Sequence, residues 1–395
     1  MKIRNTIYLD HQATTPVDSR VLAEMTPYFS ESFGNPHSSD HVLGWETSRA
    51  VDEAAARVAR LIGADADEII FTSGATESNN LALLGLGRRA TGGKRRRILM
   101  GTIEHKCVLA AGRVLEEQHG YAVEKIPVDH EGFINLSALE EAMRDDVLAV
   151  SIMAVNNEIG TIQNIEEISG IVRRHGAIFH CDAAQSPIAV AMTSFGEHTD
   201  ILCLSSHKMY GPKGVGAIYI SRDLQDQIEP LIYGGGQQNG LRSGTLPTPL
   251  CVGMGAAALM CASEATEEKR ILLRKHRDEF IGKLDNLSWP IAVNGPVGHP
   301  RHPGNANIQF IGHSAHDILG TLQPRLAAST GSACTSGIPE PSHVLRAIGL
   351  DVDEAESSIR FSLGFDTTDR DVEEAVSLID SALTKLSKTE LPRSA

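Results

Sequence analysis

The sequence predicts an α/β fold in which an open, mostly parallel sheet flanked by helices is followed by a smaller α+β unit. Three observations lead there. Short apolar runs alternate with helical patterns through the first two-thirds of the chain. The glycine-rich and polar motifs fall directly after those runs, where the carboxyl ends of parallel strands gather ligands. A chain of 395 residues also exceeds the usual size of one domain.

Taken in order, Ile7-Tyr8-Leu9 reads as a short strand, followed by a polar loop and a helix with Pro16 near its first turn. A long helix is expected over about 38–62, with Ser38 or Ser39 as its N-cap. Strands follow near 68–72, 98–101, 122–127, 147–154, 177–181, 200–205 and 215–220, separated by helices near 76–89, 107–119, 137–144 and 165–175. An apolar, small-residue helix from about 248 to 287 reads as a connector. Beyond it come strands near 306–311, 326–330 and 357–363 and helices near 314–322, 342–348 and 369–387.

Composition narrows the function classes. Hydrophobic residues make up 42% and charged residues 22%, ordinary for a globular protein, and the net charge of −14 argues against nucleic acid as the main ligand. The six cysteines include no Cys-x-x-Cys pair and no zinc-like spacing, and Cys181, Cys203, Cys251 and Cys261 lie in apolar segments, as buried reduced thiols do. Neither a signal core nor a membrane-length apolar run is evident, so the expected location is cytoplasmic, away from membranes. His299, His302, His313 and His316 lack convergent carboxylates, and no metal is assigned. The turn Gly92-Gly93-Lys94-Arg95-Arg96-Arg97 reads as a solvated helix-to-strand connection, with a docking patch as the lesser reading.

The chemistry centres on Lys208. An apolar strand, Asp200 to Ser205, delivers it into a turn in which Gly211, Pro212 and Gly214 forbid regular structure. A free lysine with a pKa of about 10.4 is a poor nucleophile near neutrality and needs burial or a carbonyl to condense with. Around it, Phe71-Thr72-Ser73-Gly74-Ala75-Thr76-Glu77-Ser78-Asn79-Asn80 follows a strand and opens a helix, a place that suits a phosphate; taken alone, a capped turn is the equal alternative. Asp182 ends another strand, where an ionised carboxylate calls for a cationic partner such as a pyridinium nitrogen; capping the next turn is the alternative. His105 follows a third strand and could stack on a planar ring or relay a proton, and Ala154-Val155-Asn156-Asn157 follows a fourth. These are the parts that pyridoxal 5'-phosphate requires.

With those parts assembled, the chain resembles the pyridoxal-phosphate enzymes of the class V aminotransferase family, and within them the cysteine desulfurases that feed iron–sulfur cluster assembly. The resemblance runs from Tyr8-Leu9-Asp10-His11-Gln12-Ala13-Thr14-Thr15-Pro16 through Gly34-Asn35-Pro36-His37-Ser38 and Ser206-His207-Lys208-Met209-Tyr210-Gly211 to Arg360-Phe361-Ser362-Leu363-Gly364. It implies fold type I, with a large cofactor-binding domain over 16–260 and a small domain from 1–15 and 261–395 that carries a mobile cysteine loop at about 326–342. It implies that Lys208 holds the cofactor covalently, His105 stacks on its ring and Asp182 pairs with its nitrogen. Asn157 and Gln185 would address the ring substituents, and Ala75, Thr76, Ser205 and His207 the phosphate. Thr245 would reach the phosphate of the other subunit in a homodimer. Arg360 would take the substrate carboxylate with its planar fork, helped by Asn157; a strand-edge salt bridge is the alternative for Arg360.

Cys334, in Thr330-Gly331-Ser332-Ala333-Cys334-Thr335-Ser336-Gly337, is set among small polar residues and glycines and is expected on an exposed, flexible loop of the long-loop type. The implied reaction takes L-cysteine to L-alanine, leaves a persulfide on Cys334 and passes the sulfur to an acceptor protein. Cys107, two residues past His105, is expected to pack at a helix start, with a place near the pocket as the lesser reading. Two rivals are an aminotransferase or a selenocysteine/cysteine lyase without a persulfide relay, and a non-catalytic sulfur carrier.

Overall fold

A computed structural model describes residues 2–297, 300–331 and 341–389. Seven strands form the main sheet. From one edge to the other they are Ile69–Thr72, Gly216–Ile220, Ile201–Ser205, Ile178–Asp182, Val147–Ser151, Arg97–Gly101 and Ala122–Ile126. Gly216–Ile220 is antiparallel to both its neighbours, and the other pairs are parallel, so the remaining six strands point their carboxyl ends at one edge.

Helices cover both faces, and the strand residues divide between them with period two. Ile98, Met100, Ile201, Cys203, Ile218 and Ile220 pack toward the helices Ala75–Arg89 and Lys106–His119. Leu99, Leu202, Leu204, Ala217 and Tyr219 pack toward Val42–Ile62, Ile165–Arg174 and Thr248–Cys261. Burial on both sides is why these strands read as continuous apolar runs.

A second sheet joins Ile291–Asn294, Asn305–Phe310 and Ser358–Ser362 in an antiparallel order, with Arg360 opposite Asn307 and Ser362 opposite Asn305. A third small sheet pairs Thr6–Tyr8 with Lys2–Ile3 and, in parallel, with Leu326–Ala327. The chain start is thereby tied to the segment beyond residue 320 and led across the open edge of the main sheet.

Several local expectations need correction. The first long helix is Val42–Ile62, and its N-cap is His41, whose Nδ1 accepts from the Gly44 N–H at 3.1 Å, not Ser38 or Ser39. The expected 248–287 helix is two helices, Thr248–Cys261 and Glu264–Asp285, bent by 72°. Ser263 is extended there, and the Ser263 and Thr266 hydroxyls both donate to the Met260 carbonyl at 2.7 Å. The strand expected near 147–154 stops at Ser151, and that near 326–330 is two residues long. The strand Ile291–Asn294 and the helix Val352–Glu356 were not anticipated.

The Arg95-Arg96-Arg97 turn is not a free basic patch. Arg95 donates to the carbonyls of Val147 and His175, Arg96 stacks over Tyr121, and Arg97 bridges Glu124 and Asp146, so the three cations fasten the sheet edge. Among the described residues no single helix is long and apolar enough to cross a membrane.

Candidate active site

The site lies along the carboxyl edge of the main sheet. Each strand there ends in a residue whose role depends on a neighbouring strand.

Asp182 is the last residue of Ile178–Asp182 and is 5% exposed. Its Oδ2 accepts from Asn79 Nδ2 at 2.7 Å and its Oδ1 from the Ala184 N–H at 3.0 Å. The turn-capping alternative is therefore partly realised, but the Asn79 bond fixes the carboxylate independently of the turn. Asn79 is fixed in turn. His180 Nε2 lies 3.0 Å from Asn79 Oδ1, and His180 Nδ1 lies 2.8 Å from Ser151 Oγ. Burial pushes the His180 pKa down to about 4, so the ring is neutral near pH 7 and has one N–H to give. Since Asn79 Nδ2 serves Asp182, its Oδ1 must accept, which puts the imidazole proton on Nε2 and leaves Nδ1 to accept from Ser151.

The phosphate-type cradle forms where Ile69–Thr72 runs into the helix Ala75–Arg89. The first-turn N–H groups of that helix have no intrahelical acceptors. Gly74 has φ +154°, and a Cβ on Gly216 would stand 2.6 Å from the Gly74 Cα, so backbone meets backbone only because residue 216 is glycine. Ser205 Oγ lies 4.0 Å from the position of a Gly74 Cβ. His207 is half-buried, with Nδ1 3.1 Å from Thr14 Oγ1; burial and the adjacent Lys208 and Lys213 push its pKa down to about 4. Glu77 accepts from the Ser73 N–H at 2.8 Å and pairs with Arg242 at 2.9 Å, linking the cradle to the segment that carries Thr245. Thr245 itself is exposed, and nothing brings it to Lys208.

Lys208 follows Ile201–Ser205, in the turn Ser206–Lys208. Its Nζ donates to the carbonyls of Gln12 and Ala13, the latter at 2.8 Å. Gln185 Nε2 donates to the same Gln12 carbonyl at 2.9 Å, which brings the strand of Asp182 and the strand of Lys208 to one point. The segment Asp10–Thr15 thus lies across the site. Sequence reasoning gave it no site role, although its polar run between a strand and Pro16 was the available signal.

His105 caps the helix Lys106–His119, its Nδ1 3.2 Å from the Cys107 N–H and 3.0 Å from Cys107 Sγ. Cys107 is thus partnered by the site histidine and lies 3.5 Å from Asn79 Nδ2, more than the packing role expected of it. Glu104, fully buried, accepts from the Met153 N–H at 2.7 Å while its Oε2 has no partner, and burial pushes its pKa well up.

Arg360 sits in Ser358–Ser362, 3% exposed. It pairs with Asp10 at 2.7 Å, and donates to Ser329 Oγ at 2.9 Å and to the Asn157 carbonyl at 2.8 Å. The salt bridge entertained as its alternative is present, yet Arg360 Nε keeps a donor without an acceptor. Cys334 lies outside the described residues. On either side of it, Ser329 donates to Asp10 at 3.1 Å and Ser342 donates to Glu158, so both flanks meet site residues.

These residues fit pyridoxal 5'-phosphate. An amine, a buried carboxylate held by an amide, and a helix start of the kind that suits an anion face one edge, and Arg360 Nε is buried there with no partner among the described residues. A model of the family "Aminotransferase class-V" matches residues 7–375. A "Cysteine desulfurase IscS" from Rickettsia akari (strain Hartford) is 47% identical over 384 residues, covering 97% of this chain and 92% of the relative. Among solved structures, a "NIFS-LIKE PROTEIN" superposes with a TM-score of 0.89 at 34% identity, over 96% of this chain and 100% of that one. "SspA in complex with cysteine" does so with a TM-score of 0.79 at 37% identity, over 90% and 98%.

Proposed function

Because the chain belongs to the aminotransferase class-V family, and within it to the cysteine desulfurases, we propose that its site uses pyridoxal 5'-phosphate to take sulfur from L-cysteine and deliver it, through Cys334, to an acceptor protein. The observation that carries this reading is Lys208, held by the Gln12 and Ala13 carbonyls where Gln185, three residues past Asp182, donates to that same Gln12 carbonyl.

The cofactor, when bound, supplies an electron sink that stabilises negative charge at the substrate Cα. Lys208 would hold it, and its Nζ would take the Cα proton. Asp182, fixed by Asn79, would pair with the ring nitrogen. His105 would cover the ring, Asn157 and Gln185 would address its substituents, and Ala75, Thr76, Ser205 and His207 would hold the phosphate. Arg360 orients the substrate through its carboxylate, with Asn157 beside it. The Cys334 thiolate would attack the substrate sulfur; the S–S bond forms as C–S breaks, Cβ takes a proton, and Lys208 Nζ returns a proton to Cα to give L-alanine. Thr245, exposed on this chain, serves the neighbouring subunit of a homodimer. We place the domain boundary near residue 260 and the enzyme in the cytoplasm.

Incubation of the purified holoenzyme with L-cysteine and a thiol reductant tests this. Alanine and sulfide should appear in equal amounts, and without reductant Cys334 should gain the mass of one sulfur atom. A keto acid without sulfide would make the protein an aminotransferase.

A further inference from the structure

Gln12 carries a hydrogen-bond donor that nothing among the described residues accepts. Its side chain is 2% exposed, its Oε1 accepts from Asn305 Nδ2 at 2.5 Å, and its Nε2 has no partner. A buried donor in that condition costs about 1–3 kcal/mol, so the choice of which amide atom faces inward has to be justified.

The justification lies one residue further out. Arg301, 2% exposed, donates to Asn305 Oδ1 from both Nε (3.2 Å) and Nη2 (2.8 Å), and to the Pro296 carbonyl at 2.8 Å. A guanidinium has no acceptor to offer, so Asn305 must present oxygen to Arg301 and its NH2 to the other side. There it donates to Gln12 Oε1 and to the Glu158 carbonyl at 3.0 Å. Flipping Gln12 would set two NH2 groups against each other. The buried arginine therefore dictates, through one amide, that Gln12 points N–H away from Asn305.

A second unused donor is close by. Ser362, whose Oγ accepts from the Gln12 backbone N–H at 3.0 Å, is opposite Asn305, and Arg360 is opposite Asn307, one pleat along the same face. Asn305 and Asn307 both donate to the Glu158 carbonyl, at 3.0 and 3.2 Å, and Arg360 donates to the adjoining Asn157 carbonyl. Arg360 Nε is buried and unpartnered like Gln12 Nε2. Two such donors call for a group that only accepts. Of the groups on an amino acid, the ammonium donates and the thiol is weak, while the carboxylate accepts through both oxygens.

We propose that Gln12 Nε2 is a substrate-positioning donor that holds the α-carboxylate together with Arg360, its direction set by the Arg301–Asn305 relay. The proposal rests on the amino-acid-utilising reading above. It makes residue 12 a determinant of how strictly the site demands a carboxylate.

The test compares binding of L-alanine with binding of ethylamine, which is L-alanine without its carboxylate, by calorimetry on the full-length holoenzyme. Gln12→Met, close in length and apolar, should weaken L-alanine binding about tenfold, the equivalent of about 1.4 kcal/mol, and leave ethylamine unchanged. Gln12→Glu keeps the bond to Asn305 and sets a negative charge toward the carboxylate, so it should weaken L-alanine binding further still. Equal losses for both ligands in Gln12→Met, or tolerance of Gln12→Glu, would overturn the proposal and assign the amide to a buried water. Retained cofactor absorbance confirms that each variant is folded, and a Gln12→Met protein lacking it passes the decision to Gln12→Glu. Failure of the wild-type protein to yield alanine and sulfide from L-cysteine would instead refute the function while leaving the comparison of ligands readable.

Discussion

Asn79 shows how much a single amide can decide. Its two ends are committed to opposite neighbours, Asp182 on one side and His180 on the other, at 2.7 and 3.0 Å. Replacing it by alanine leaves the buried Asp182 Oδ2 without its amide donor and the His180 N–H with only Cys203 Sγ, 3.5 Å away. Asn79→Ala should lose about 2 kcal/mol or more of stability, since each orphaned buried group costs about 1–3 kcal/mol, and the urea midpoint measures it. On the proposed function, in which Asp182 pairs with the cofactor ring and Asn79 only orients it, the same variant should lower the alanine-forming rate with little change in the KM for L-cysteine. An unchanged rate would mean that Asp182 is held well enough by the Ala184 N–H alone.

The strand ends and helix starts explain why these residues meet. Ile69–Thr72 and Gly216–Ile220 lie side by side, and the backbone crosses the edge at Gly74 with only hydrogen between it and Gly216. A methyl group at Gly216 would also meet the Leu204 carbonyl at 2.7 Å, in the strand that leads to Lys208. Gly216→Ala should therefore spread the anion cradle away from the lysine turn, and the purified variant should retain at most half the wild-type visible absorbance of bound cofactor per chain. Full absorbance would show that the cradle adapts. The bend at Ala262-Ser263 belongs to the same level: with Ser263 extended and two hydroxyls turned back onto Met260, the second helix leaves at 72°. Ser263 followed by Glu264 and Glu267 is a helix start written in the sequence, overshadowed by the long run of small apolar residues before it.

The molecule as a whole carries three histidines buried in the neutral form. Burial pushes His11 and His302 down to about 3 and His180 to about 4. In the unfolded chain each would titrate near 6.5. Between those values the unfolded state binds more protons than the folded one, so stability is fully present above about pH 6.5 and falls as pH drops toward the folded values. From pH 6.5 to 5 the loss approaches about 2 kcal/mol per histidine. Glu104, pushed up by burial, acts in the opposite sense and costs stability as pH rises above the ordinary carboxylate range. His207, pushed down to about 4, adds to the histidines, and Asp200, raised by burial, adds to Glu104; with the histidines in the majority, the urea midpoint should be clearly lower at pH 5 than at pH 7.5, and a flat profile would contradict the neutral buried imidazoles. Two sheets and one crossing segment bring these groups together: Asp10–Thr15 ties Arg360 on the small sheet to Lys208 on the large one.

The alternation of apolar runs with helical patterns was enough to specify the α/β architecture, because a sheet buried on both faces leaves that mark in every strand. Motifs with one residue type at a fixed distance from a strand end pointed to Lys208, Asp182, His105 and Gly74-Ala75-Thr76, and the structure puts all of them along the carboxyl edge of the main sheet. The partners of those groups had no such mark. Asn79 sits within a helix, Gln12 and Ala13 act through backbone carbonyls, which every residue has, and Arg301 reaches the site through an asparagine. Hydrogen-bond direction depends on which atoms face each other across elements distant in the chain, and it is fixed when the sheets pack, not by local sequence.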